Sequence, residues 1–121
     1  MSRKSPRIIL ARAIIDINTS LTELRILRER VARRALVDQD QRNYLQNVLS
    51  RIDHYLASLE ALSERLQTLL ATGQVFSGSY SLVDLKREIR DLEKELKEFY
   101  PAVSLGLRKA LEEIEEIKYS A

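Results

Sequence analysis

The stretch from Asp38 to Gly73, DQDQRNYLQNVLSRIDHYLASLEALSERLQTLLATG, decides the fold. Its large aliphatic residues stand at Leu45, Leu49, Ile52, Leu56, Leu59, Leu62, Leu66 and Leu69, in steps of three and four. At 3.6 residues per turn, such steps draw one apolar seam along a helix. Asp38, followed three residues later by Gln41, supplies an N-cap with a capping-box partner, and Gly73 is a natural stop. A helix of about 30 residues is expected, roughly 45 Å long at 1.5 Å per residue.

Upstream the same spacing recurs at Leu10, Ile14, Ile17, Leu21 and Leu24, then at Val31 and Ala35. Arg28 falls where the seam expects an apolar residue, with Leu27 beside it to fill the gap. Ser5 is placed to cap this helix, and Pro6 suits its first turn because a missing N–H costs nothing there. Only a few residues join the two helices, which forces them to lie antiparallel. The two seams predict a hairpin packed in the manner of a left-handed coiled coil. Leu10, Ile14, Ile17, Leu21 and Leu24 meet Leu45, Leu49, Ile52, Leu56, Leu59, Leu62 and Leu66 in that packing.

Downstream, residues 72–81 hold two of the three glycines and three serines, which reads as a hinge-like linker. Ser81 with Asp84 opens a third helix, with its seam at Leu82, Leu85, Ile89, Leu92, Leu96 and Phe99. Pro101 disfavours helical geometry at Tyr100 and separates a fourth helix carrying Val103, Leu107, Leu111 and Ile114. Gly106 weakens the middle of that helix by about 1 kcal/mol relative to Ala. The fold class is therefore all-α: a long antiparallel helical hairpin over about 5–72, a linker over about 73–80 and two shorter helices over about 81–119. At 121 residues these form a single domain.

Charge is distributed unevenly along the chain. The net value is only +2, yet residues 1–42 contain ten basic side chains against five acidic ones, and Glu112, Glu113, Glu115 and Glu116 cluster near the other end. A basic head implies an anionic partner, or the acidic tail itself as a mask for the basic surface in a resting state. Cysteine is absent, which removes disulfides, thiolate zinc sites and cysteine nucleophiles and is compatible with the reducing cytosol. The apolar run from Ile8 to Ala11 is far shorter than the roughly 18 residues of a spanning helix. The expectation is a cytoplasmic protein that lies on a membrane face without crossing it.

No catalytic constellation emerges, and no cofactor is expected. The single histidine, His54, sits in the second helix beside Tyr55 with no chemical partner in view. Asp38 and Asp40 lack the glycine turn and following glutamate of a calcium loop, so capping is their expected role. There is no glycine-rich phosphate cradle, nucleophile elbow or HExxH motif, and an enzyme is not expected.

The first helix carries a second apolar stripe. At 100° per residue, Ile8, Ile15 and Ile26 share a face roughly 150° from the seam. Arg12, Arg30 and Arg33 lie around this stripe, Arg7 and Arg25 lie on the flank, and Arg3 and Lys4 precede it. Aliphatic anchors framed by arginines suit an anionic membrane surface, where each basic group contributes about 1 kcal/mol. The competing expectation is that the third helix or a sister subunit covers the three isoleucines while the arginines stay solvated. Two other functions remain open: nucleic-acid binding through the same arginines with Tyr44 and Tyr55 nearby, and a coiled-coil adaptor that binds protein alone.

The basic first helix, the second helix ending in LEALSERLQTLLATG (59–73) and the linker after it resemble the hairpin and turn of the ESCRT-III family, and within it the archaeal CdvB-like cell-division proteins. Phe99-Tyr100-Pro101-Ala102-Val103, followed by Leu107, Leu111, Glu112, Glu113 and Ile114, looks like the later short helices of that family. The resemblance implies a subunit that switches between closed and open forms, polymerises with itself or with paralogues on membranes through its first helix, and drives constriction or scission. It also implies a disassembly ATPase of the AAA type that grips a C-terminal motif. No proline-rich or further helical motif of that kind is found up to Ala121.

Overall fold

The computed structural model describes residues 5–72 and 82–119; the expected linker, its Gly73 stop and the Ser81 cap lie outside the described residues, as do Arg3 and Lys4. Helix α1 spans Pro6–Val37, α2 Arg42–Thr72, α3 Leu82–Phe99 and α4 Pro101–Glu115, which runs into a 3-10 turn over Glu116–Tyr119. The described residues contain helices and no strand.

The start of α1 and the break at Pro101 appear as expected, and the turn between α1 and α2 differs in one respect. Ser5 Oγ accepts a hydrogen bond from the Ile8 N–H at 3.3 Å, and Pro6 occupies the first turn of α1. Between α1 and α2, the Asp38 carboxylate accepts from the Gln41 N–H at 3.2 Å while the Asp38 N–H donates to Arg34 O at 2.9 Å. Asp38 thus caps the end of α1 and braces the turn, which stays short and keeps the helices antiparallel. Helix α2 itself begins only at Arg42, where the Leu45 N–H donates to Gln41 O at 2.8 Å, so Gln41 and not Asp38 holds its N-cap position, and the expected capping box does not form because the Asp38 N–H is taken by Arg34 O. Tyr100 is extended (φ −153°, ψ 90°), so α3 ends there and Pro101 starts α4.

The four helices run up and down in a ring. Helix α1 packs on both α2 and α4, and α3 packs on α4. Between α2 and α3 the contacts are made by long side chains: Arg65 with Glu88, and the rings of Tyr55 and Phe99 with centroids 5.2 Å apart. One core unites all four, with Leu10, Ile17, Leu24, Ile52, Leu59, Leu62, Leu66, Leu85, Ile89, Leu96 and Leu107 fully buried. Each such side chain is worth about 1.5–3 kcal/mol relative to exposure. Of the expected hairpin contacts, Leu21 and Leu45 are also buried, whereas Ile14, Leu49 and Leu56 are half-buried at the edges.

Helix α1 is far longer than the elements laid against its first half. At 1.5 Å per residue α1 extends about 48 Å and α4 only about 22 Å. Antiparallel pairing places Val103 beside Ser20 and brings the final 3-10 turn to the start of α1. Beyond Leu24 and Tyr55 the hairpin continues as a two-helix arm. Phe99 closes the four-helix body at that point, packed on Tyr55 and covered by the Arg51 guanidinium 4.4 Å from its centroid. Arg28, the break in the apolar seam, pairs across the arm with Asp53 through contacts of 2.6 and 3.4 Å.

Gly106 has a packing role that the helix pattern does not reveal. A β-carbon there would lie 2.1 Å from Ser20 Oγ and 2.5 Å from the Asp16 carbonyl oxygen, so α1 and α4 touch backbone to side chain. Ser20 Oγ donates to Val103 O at 2.6 Å in the same crossing, and Ala13 and Ala110 are fully buried in the common core. Helix propensity alone favours Gly106→Ala by about 1 kcal/mol. The clash reverses the sign, and the substitution is expected to destabilise the protein by about 1–3 kcal/mol in urea unfolding. Adding Ser20→Gly should not restore full stability, because the Asp16 carbonyl still obstructs the methyl group; a fully wild-type midpoint for G106A would refute the close crossing.

Candidate functional site

The outer face of α1 is the most distinctive surface, and its exposure follows from the ring order. The sector of α1 containing Leu10, Ile14 and Leu21 faces α2, while the sector containing Ile9, Ala13 and Ser20 packs with α4 and the common core. Ile8 and Ile9 are adjacent in sequence yet differ by about 100° around the helix. Ile9 is buried and Ile8 is half-exposed. Ile15, at 63% exposure, and Ile26, at 46%, lie on the same open side. Neither α3 nor α4 covers this stripe, which corrects the expectation that the third helix shields it.

The arginines assigned to this surface divide into two groups. Arg7, Arg12 and Arg30 are exposed and form no ion pair with any described residue. Arg25 reaches across the hairpin to Glu60 at 3.2 Å, and Arg33 pairs with Glu29 one turn before it at 2.5 Å. Both pairs are solvent-exposed and therefore weak, contributing about 0–1 kcal/mol. Together with Arg28–Asp53, the Arg25–Glu60 pair favours one antiparallel register for the arm.

The acidic cluster stands apart from the open stripe. Glu112 and Glu116 are exposed, Glu113 and Glu115 are half-buried, and Arg90 of α3 approaches Glu115 at 3.7 Å. The cluster occupies the end of α4, whose following 3-10 turn touches α1. Ile8, Ile15 and Ile26 remain exposed in this arrangement.

Two features escaped the sequence reading, one on the surface and one inside the hairpin. Val37, 79% exposed, continues the isoleucine stripe to the end of α1: Ile8, Ile15, Ile26 and Val37 recur at intervals of 7, 11 and 11 residues. These intervals keep them within about 40° on the helix. Ser63 is the second. It is buried in the hairpin seam, donates to Asn18 Oδ1 at 3.1 Å and accepts from Gln67 Nε2 at 3.0 Å, forming a polar layer between apolar ones.

His54 is exposed on α2 with its ring 5.5 Å from Tyr55. Among the described residues, no group of three or more His, Cys, Asp or Glu side chains is placed to hold a metal ion, and no helix is long and apolar enough to cross a membrane. No protein-family model, curated protein or solved structure matches the chain.

Asp16 is the ionisable group most affected by the packing of α1 on α4. Partial burial raises its pKa above the ordinary 3.8, and Lys109 on α4 opposes that shift. The folded chain therefore holds this proton more tightly than the unfolded chain. The stability it contributes is present below the ordinary value and is lost as pH rises through the raised one. Asp16→Asn should consequently be more stable than wild type at neutral pH, with a flatter stability profile between pH 3.8 and neutrality. Chemical unfolding across that range checks the sign, and an Asp16→Asn variant less stable than wild type at pH 7 would contradict it.

Proposed function

We propose that this protein is a peripheral membrane subunit of the ESCRT-III kind, which lays the outer face of α1 on an anionic lipid surface and assembles with further copies or paralogues into a polymer that remodels the membrane, as in cell division. The observation that carries the reading is the open stripe of Ile8, Ile15 and Ile26 beside Arg7, Arg12 and Arg30, which are exposed and pair with no described residue. Isoleucines at the headgroup boundary gain apolar burial, and arginines around them meet lipid phosphates. The long hairpin with shorter helices after it agrees with the architecture that the family resemblance implies. The cytoplasmic leaflet, with its anionic lipids, is the surface such a face would meet. An AAA-type ATPase remains the disassembly partner that the resemblance suggests.

The purified protein is expected to co-sediment with vesicles containing phosphatidylserine and to form filaments on them in negative stain. Replacing Arg7, Arg12 and Arg30 with Glu should weaken sedimentation by about two orders of magnitude or more, since each basic group contributes about 1 kcal/mol at such a surface. Wild-type binding by this triple variant would sink the proposal. Tighter, steeply salt-dependent binding to duplex DNA than to vesicles would instead favour a nucleic-acid role for the same arginines.

A further inference from the structure

The free end of the hairpin combines apolar exposure with positive charge in a way that the outer face of α1 does not. Leu36 is 77% exposed, Val37 79% and Tyr44 66%. Leu36 and Val37 close α1, and Tyr44 lies in the first turn of α2, so the tight Asp38 turn brings these three side chains to one end of the molecule. Along α1, by contrast, Ile8, Ile15 and Ile26 are spread at intervals of 7 and 11 residues, or roughly 10 and 16 Å. Large apolar side chains this exposed are unremarkable singly and informative when clustered.

Residues 29–42 carry four arginines, Arg30, Arg33, Arg34 and Arg42, against three acidic side chains, Glu29, Asp38 and Asp40. Asp38 is already engaged, accepting from the Gln41 N–H and lying 3.6 Å from Arg34. The Gln41 N–H still holds the Asp38 carboxylate within the turn when Arg34 turns outward. The Arg34–Asp38 and Arg33–Glu29 pairs are exposed, so both arginines can exchange these partners for phosphate oxygens at little cost. Tyrosine, with an apolar ring and a polar tip, belongs at a membrane–water boundary. A groove lined by Ala32, Ala35, Leu36 and Leu49, with Arg42 and Gln46 at its polar edge, continues inward from the end between the two helices, and Arg42 Nε donates to Ala35 O across it at 3.3 Å.

We infer that the hairpin end is a second lipid contact, in which Leu36, Val37 and Tyr44 enter the headgroup–acyl boundary of an anionic bilayer while Arg33, Arg34 and Arg42 hold its phosphates. The inference rests on the proposed membrane role and adds to it a fixed attitude. Val37 belongs both to the stripe and to the end, so α1 lies along the surface with its C-terminal end dipped deepest. The four-helix body, whose near edge at Leu24 is about 20 Å from Val37 and whose far end at Ile8 is about 45 Å away, sits at the shallow end.

The absence of tryptophan makes the test direct, because one introduced indole is the only one in the chain. Leu36 lies about 80° around the helix from Ile26, off the stripe, so Leu36→Trp reports the end while Ile15→Trp reports the stripe. Each full-length variant is mixed with phosphatidylserine–phosphatidylcholine vesicles whose acyl chains carry bromine. The expected result is a blue shift and quenching at position 36 at least as strong as at position 15, and a Leu36→Ser, Tyr44→Ser double variant that binds about tenfold more weakly with an unchanged circular dichroism spectrum. Quenching at 15 without quenching at 36 overturns the inference and leaves the membrane role intact. No sedimentation and no quenching of either variant removes the membrane role and this inference with it. A shift at position 36 that follows protein concentration without vesicles assigns the end to pairing between copies, and also overturns it.

Discussion

Gly106 lies so near α1 that its missing side chain is a structural element: a methyl group there would meet Ser20 Oγ at 2.1 Å and the Asp16 carbonyl at 2.5 Å. The other features of the molecule depend on this crossing. Close approach lets α4 settle against the Ile9, Ala13 and Ser20 side of α1 while α2 holds the neighbouring side. Two neighbours occupy only part of a helix circumference. The remainder stays open, and that remainder carries Ile8, Ile15 and Ile26. The exposure of the candidate surface is thus a consequence of where α4 sits. A wider α1–α4 separation would cost the Ser20–Val103 hydrogen bond, worth about 0.5–1.5 kcal/mol, and the close packing around it.

Length mismatch creates the second architectural feature. Helices α3 and α4 complete a four-helix core only over the first half of α1 and the second half of α2. Past Phe99 the hairpin is two helices thick, and a pair of helices covers each seam from one side only. Leu27, Val31, Val48 and Leu56 are therefore packed against the core without being fully buried. Cross-hairpin pairs at Arg25–Glu60 and Arg28–Asp53 supply orientation where apolar burial is thin. Such pairs specify register more than they add stability, because both are solvent-exposed.

The hairpin was legible from periodicity because each helix repeats its apolar residues along a single seam, and Ser5 and Pro101 mark helix starts through chemistry that operates locally. The α1–α4 crossing was not legible. Small residues such as Ala13, Ser20 and Gly106 have low hydrophobicity and fall outside a pattern built on leucine and isoleucine, yet they are what permits close approach. For the same reason Gly106 reads as a weak point by helix propensity and proves to be a packing requirement. The stripe of Ile8, Ile15 and Ile26 was visible, but its exposure was not, since periodicity reveals which residues share a face and cannot say which neighbour covers it. Val37 was missed because it stands at a helix end, where a seam is usually taken to stop.

The same open face can be weighed against its possible partners by asking what each would do with the isoleucines. A phosphate backbone would engage Arg7, Arg12 and Arg30 but gains nothing from Ile8, Ile15 and Ile26, which offer no hydrogen bond and no ring for base stacking. A protein partner would use the isoleucines, yet interfaces concentrate their apolar residues in a contiguous core, whereas these are strung along about 27 Å with polar side chains between them. A lipid surface makes neither demand. It is laterally continuous, so widely spaced anchors along one helix all meet it, and its anionic headgroups receive the arginines at whatever interval they occur. Linear spacing of apolar anchors, with charge distributed along the whole line, is the pattern that favours an extended planar partner over a compact one.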